Sequence, residues 1–173
     1  HPGGKLGKRL LLHIKDIMHS GDKMPVVSAS SSLSEAILEM TRKRLGMVAI
    51  TDTKMKVQGV FTDGDLRRTL AHTIDPHKTT VGEVMTRDGK TIEADALAVE
   101  AVKIMQEFKI QGLLVVDDKS RLKGVLNFND FPDFENPVDN NGDNDYQVTV
   151  SVSDGRGGSD SQDLTITITK HTD

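Results

Sequence analysis

The chain has 173 residues, 36% of them hydrophobic, with no cysteine, no tryptophan and a formal net charge of −4. That length supports one ordinary domain or two small ones, and the missing cysteines exclude disulfides, thiolate metal sites and cysteine nucleophiles. With 28% charged residues, one Tyr and no apolar run near the roughly 18 residues of a membrane span, neither a transmembrane helix nor a stacking platform for single-stranded nucleic acid is expected, and His1-Pro2-Gly3-Gly4 lacks a signal-peptide layout.

The charge is unevenly spread. Up to residue 131 there are 20 basic against 17 acidic residues, and beyond it 2 against 9. Composition changes at the same place, from Met, Leu, Ala, Lys and Glu to Asp, Asn, Gly, Ser and Thr with alternating Val and Ile. Two unrelated parts are expected.

The first part repeats itself. Asp16-Ile17-Met18 matches Glu83-Val84-Met85, and farther on the offset settles at 65: Glu35-Ala36-Ile37 matches Glu100-Ala101-Val102, Asp52 matches Asp117, Gly59-Val60 matches Gly124-Val125, and Asp65 matches Asp130. Each copy reads helix, strand, strand, helix. Ser32 and Glu35 form a capping box ahead of a stripe of Leu33, Ala36, Ile37 and Met40; in the second copy Asp95 is the expected cap and Leu97, Ala101, Ile104, Met105 and Phe108 the stripe. Strands are expected over Met47–Thr51 and Lys56–Phe61, and again over Leu113–Val116 and Leu122–Leu126. One copy alone has too small a core, so two copies should pack sheet to sheet about a pseudo-twofold axis.

The segment Gly59-Val60-Phe61-Thr62-Asp63-Gly64-Asp65-Leu66-Arg67-Arg68 places the end of a strand against the start of a helix. A phosphate there could accept from backbone amides and the Thr62 hydroxyl, Asp65 could bind the two hydroxyls of a ribose, and Arg67 or Arg68 could add charge. The same residues also suit a purely structural role, with Thr62 as cap and Asp63 and Asp65 complementing the helix dipole.

These residues resemble a CBS-domain pair, a regulatory module whose Gly-hydrophobic-x-Thr/Ser-x-x-Asp motif binds adenosyl nucleotides. More narrowly, His1-Pro2-Gly3-Gly4-Lys5-Leu6-Gly7, Asp16 to Asp22, Arg42 to Met47 and Phe61 to Arg68 are similar to the C-terminal part of arabinose-5-phosphate isomerases of the KpsF/GutQ type. The resemblance implies an α+β fold: a tandem CBS pair of two pseudo-twofold β-α-β-β-α units, followed here by a β-hairpin-rich tail. It divides the chain into a linker over 1–15, repeats over 16–75 and 76–131, and the tail over 132–173. In that family a sugar-isomerase domain precedes this point and serves lipopolysaccharide synthesis. The chain as given lacks it, so a cytoplasmic, non-catalytic regulatory part is expected, with His1 left without the rest of its site.

The resemblance assigns a nucleotide-binding role to Thr62, Asp63, Asp65 and Arg67, and to Asn127 and Asp130 in the second copy, with Val26-Val27 and Thr91-Ile92 lining a base pocket. AMP, ADP, ATP and the pathway product CMP-Kdo are all allowed as ligand, and association into homo-oligomers through the helical faces is implied. The second copy departs from the isomerase pattern: Asn127 and Asn129 stand where histidines are usual, and Pro132 ends the closing helix at once.

In the tail, Tyr146, Val148, Val150 and Val152 alternate with polar residues, as do Leu164, Ile166 and Ile168. An antiparallel pair around an Asp154–Ser159 loop is expected. The string from Pro132 to Gly155 is similar to the latter half of a bacterial cadherin-like repeat, which would make Glu135 and Asp154 calcium ligands; the acidic run from Asp139 to Asp145 also reads as a solvated turn. Three functions stay open: a nucleotide sensor, a scaffold that binds nothing and joins copies of itself, and a calcium-dependent adhesion fragment. Nucleic-acid binding has no basic recognition helix to support it.

Overall fold

The computed structural model describes residues 11–130, 145–153 and 159–167. The elements in chain order are α1 (Ile14–Ile17), a 3₁₀ turn (Gly21–Lys23), β1 (Val26–Val27), α2 (Leu33–Lys43), β2 (Met47–Thr51), β3 (Val57–Thr62), α3 (Asp63–Leu70), α4 (Val81–Val84), β4 (Thr91–Glu93), α5 (Ala98–Phe108), β5 (Gly112–Val116), β6 (Leu122–Asn127), a 3₁₀ turn (Phe128–Asp130), β7 (Asp145–Ser153) and β8 (Ser159–Thr167).

The two repeats build two sheets of the same design. In the first, β1 runs parallel to β2 and β2 antiparallel to β3; in the second, β4, β5 and β6 do the same. Each has a register shift at the corresponding point, Ile50/Thr51 and Val115/Val116. All five residues of β2 are buried, because both faces of the strand are covered. Val48 and Ile50 pack with Leu33, Ala36 and Met40 of α2. Met47 and Ala49 join Leu114, Leu122 and Val125 of the other sheet. The strand therefore reads as a continuous apolar run rather than an alternating one.

The helices follow from their ends as much as their stripes. Ser32 Oγ accepts from the Glu35 amide at 3.1 Å, and the Glu35 carboxylate accepts from the Ser32 amide at 3.1 Å. In the second repeat Asp95 does not cap. It lies two residues before the Leu97 cap position, too early to reach the free amides, and Glu100 accepts from the Leu97 amide at 2.7 Å. Phe108 also departs from expectation: it is exposed, with Lys90 Nζ 4.1 Å from its ring centre, while Ala98, Val99 and Val102 take core positions. Both long helices stop at a left-handed residue, Arg44 and Lys109, as does each connecting turn at Met55 and Ser120. Both pairs are 65 residues apart.

The lead-in segments cross over. Ile14, fully buried, belongs to the core of the second repeat with Ile92, Met105 and Leu113, and its amide donates to Ala96 O at 2.8 Å. Val81 belongs to the core of the first repeat with Leu33 and Phe61, and its amide donates to Ser31 O at 2.9 Å. Backbone bridges complete the exchange, His19 with Val125 and Thr86 with Val60. These close approaches need glycine: a Cβ on Gly59 would meet Met85 Sδ at 2.6 Å and Thr86 O at 2.8 Å, and one on Gly124 would meet Met18 Sδ at 2.4 Å.

The tail forms the expected antiparallel pair, with Tyr146 opposite Ile166 and Val148 opposite Leu164. Gln106 of α5 lies 3.5 Å from Thr167 O. Among the described residues, no helix is long and apolar enough to cross a membrane.

Candidate functional site

Strand β3 ends at Thr62 and α3 begins at Asp63, so the Thr62 side chain stands over the first turn. Thr62 Oγ1 accepts from the Asp65 amide at 3.2 Å, and Asp65 Oδ2 accepts from the Thr62 amide at 2.9 Å and from Thr62 Oγ1 at 3.0 Å. Asp65 is only 7% exposed, and a buried carboxylate needs such donors. Its other oxygen, Oδ1, accepts from Arg68 Nη2 at 2.6 Å and from Thr86 Oγ1 at 3.2 Å. Of the first three amides of α3, Asp63 donates to Gly46 O at 3.0 Å and Asp65 to Thr62; among the described residues the Gly64 amide has no acceptor.

The second motif is the pseudo-symmetric copy with different chemistry. Asp130 Oδ2 accepts from the Asn127 amide at 3.2 Å and lies 3.0 Å from His19 Nε2. His19 thus stands where Thr86 stands in the first motif. Asn127 takes the Thr62 position but its side chain is engaged elsewhere: Nδ2 donates to Leu45 O at 2.8 Å, and Oδ1 accepts from the Asn129 amide at 2.9 Å. The described residues reach only a 3₁₀ turn, Phe128–Asp130, at the position of the first turn of α3.

Thr62 and Asp65 are therefore brought together, as are Asn127 and Asp130. Asp63 and Arg67 are not part of either cluster. Asp63 faces the other way, into a shallow depression of about 250 Å³ lined by Ile37, Met40, Thr41, Arg44, Gly46 and Leu66. Arg67 is exposed, and the cation at the motif is Arg68. Thr86 and His19 were not legible as partners of the acids. Their equivalence was, since the Asp16-Ile17-Met18 and Glu83-Val84-Met85 match aligns them, but each is local in sequence to the wrong repeat. The calcium candidates Glu135 and Asp154 lie outside the described residues, and no cluster of metal-ligating side chains occurs among the described ones.

Two repeats of this topology, each closed by a Gly-x-x-(Thr/Asn)-x-x-Asp turn, match one domain family twice: the CBS domain, over residues 14–72 and 81–131. The chain belongs to the CBS-domain family. Arabinose 5-phosphate isomerase KdsD of Pseudomonas aeruginosa is 52% identical over 130 residues, covering 75% of this chain and 40% of that protein. KdsD of Yersinia pestis is 47% identical over the same length, again covering 75% of this chain and 39% of that protein. The CBS pair thus spans about two fifths of the length of these isomerases. Among solved structures, the CBS domain pair of protein MJ0100, in complex with 5′-methylthioadenosine and S-adenosyl-L-methionine, superposes with a TM-score of 0.62 at 27% identity, covering 69% of this chain and 92% of that one.

Proposed function

We propose that this CBS pair is a regulatory module that binds an adenosyl ligand at its two Gly-x-x-(Thr/Asn)-x-x-Asp turns and serves an arabinose-5-phosphate isomerase. The observation that carries the reading is the pairing of Thr62 with Asp65 and of Asn127 with Asp130 at equivalent strand ends. The adenosyl ligands of the MJ0100 pair support it. In this reading the carboxylates take the ribose hydroxyls, the Gly64 amide at the start of α3 faces a phosphate, and Arg68 supplies the positive charge, while the Thr62 hydroxyl holds Asp65. The module performs no chemistry itself; it acts in the cytoplasm on the sugar-isomerase part that the KdsD relatives carry. CMP-Kdo, the product made downstream of the isomerase, is the alternative ligand, because its ribose presents the same diol.

Thermal unfolding with AMP, ADP, ATP, 5′-methylthioadenosine and CMP-Kdo in separate wells tests this. At 100 times Kd the stabilisation is about 2.7 kcal/mol. A shift with one of them that is reduced in Asp65→Ala or Asp130→Ala supports the reading. No shift with any ligand favours a scaffold, for which Leu38, 67% exposed on α2, and Leu70, 63% exposed on α3, would supply apolar contacts between copies.

A further inference from the structure

The two acids differ in what they have left to offer. An ionised carboxylate presents two oxygens with about four acceptor positions. Asp65 has all four in use: Oδ2 by the Thr62 amide and hydroxyl, Oδ1 by Arg68 and Thr86. Asp130 has two in use, both on Oδ2, by the Asn127 amide and His19. Among the described residues its Oδ1 has no donor. A ribose diol binds by donating both hydroxyls to a carboxylate, so it must displace existing donors from Asp65, whereas at Asp130 Oδ1 it meets no donor from the described residues.

Which donor can leave Asp65 is set by exposure. The Thr62 bonds belong to the cap of α3, and breaking them would release the first turn of the helix. Arg68 has a side chain 73% exposed, so its guanidinium can turn into solvent at small cost. It also has somewhere useful to go. A Cβ placed on Gly64 would lie 3.5 Å from Arg68 Nη1 and 3.6 Å from Thr62 Oγ1, so the guanidinium already sits beside the first turn of α3, whose Gly64 amide has no acceptor among the described residues.

We propose that Arg68 is a latch on the first half-site: it closes Asp65 against a ribose diol in the unliganded protein, and leaves Asp130 as the acid that takes the diol first. On displacement, Arg68 passes from the Asp65 carboxylate to the anionic group of the ligand. The first half-site consequently favours a nucleotide over a nucleoside, whereas the second accepts a nucleoside. This rests on the adenosyl-binding reading above.

The experiment is a calorimetric titration of the full chain with adenosine, which has the diol and no phosphate, with 2′,3′-dideoxyadenosine, which has neither, and with AMP. Wild type is compared with Arg68→Met, Asp65→Asn and Asp130→Asn. The latch predicts that adenosine binding to wild type is weakened about tenfold or more by Asp130→Asn and little changed by Asp65→Asn. Arg68→Met, at an exposed position that leaves the fold intact, tightens adenosine at the Asp65 half-site by roughly two- to fivefold while loosening AMP there. Opposite effects on the two ligands are not expected of a residue that merely supports the helix. The proposal is overturned if adenosine binding depends on Asp65 and not on Asp130, or if Arg68→Met moves both ligands in the same direction or neither. If adenosine and AMP bind no variant at all, the adenosyl reading fails and the latch falls with it; if they bind without the predicted dependence, only the latch falls.

Discussion

Thr86 Oγ1 donates to Asp65 Oδ1 across 3.2 Å, from the segment leading into the second repeat to the acid of the first. His19 and Asp130 make the reciprocal contact at 3.0 Å, so each acid is held in part by the lead-in of the other repeat. Thr86→Val removes one of four donors to a carboxylate that is only 7% exposed. The expected loss is about 1 kcal/mol of stability in urea unfolding, without a change in the steepness of the transition.

The crossing lead-ins make the two repeats one folding unit. Without Ile14 the second core loses a fully buried side chain, and without Val81 so does the first. A chain of residues 76–131 is expected to show no cooperative thermal transition, whereas residues 11–131 unfold in one. Independent, cooperative melting of the short chain would contradict the exchange.

Gly59 is required by its neighbours rather than by its own backbone. The methyl group of Gly59→Ala would lie 2.8 Å from the Thr86 carbonyl, which is itself bridged to Val60 and cannot withdraw without breaking that pairing. The substitution is expected to cost about 1–3 kcal/mol, measured by chemical denaturation. Gly21→Ala meets no atom within 4 Å, but its φ of +59° strains any side chain, and the two variants together separate crowding from backbone strain.

The N-terminal segment is also tied down by charge. Lys15 Nζ donates to Asp95 Oδ1 at 3.0 Å; that hydrogen bond and the attraction behind it raise the Lys15 pKa above its ordinary value and lower that of Asp95 below its own. The Asp95 contribution is present above the ordinary aspartate value of about 4 and is lost as pH falls through the depressed folded value. The Lys15 contribution is present below about 10.4 and is lost as pH rises through the raised folded value. Both groups are exposed, so the effect is small and screened by salt. Wild type and Lys15→Met should therefore differ in urea midpoint between pH 5 and 9, converge at both extremes, and differ less in 1 M salt.

Local signals were legible and exchanged ones were not. The stripe of Leu33, Ala36 and Met40 arises from contacts within a repeat, and the apolar runs of β2 and β5 are contiguous in sequence even though one face of each packs on the other sheet, so both patterns can be read locally. The Thr62–Asp65 pair was visible for the same reason, being one helical turn. The exchange of Ile14 and Val81 left no trace, because an apolar residue packs equally well against either copy of a duplicated core. Asp95 was misread because acid-then-apolar spacing does not by itself fix where a helix starts; the offset from Ser32 points to Leu97, and the structure begins there. Arg67 and Arg68 were indistinguishable in sequence, and only the helical angle of 68 returns it to Asp65.

The most direct test of the account is a titration of the ¹⁵N-labelled chain with 5′-methylthioadenosine and AMP, following backbone amide resonances. An adenosyl-binding CBS pair predicts saturable shifts confined to the two turns, at Thr62 to Asp65 and at Asn127 to Asp130, together with the flanking Thr86 and His19. Saturation with no change at these amides, or with changes confined to the depression beside Asp63 and Arg44, would contradict the assignment of the ligand site to the two turns.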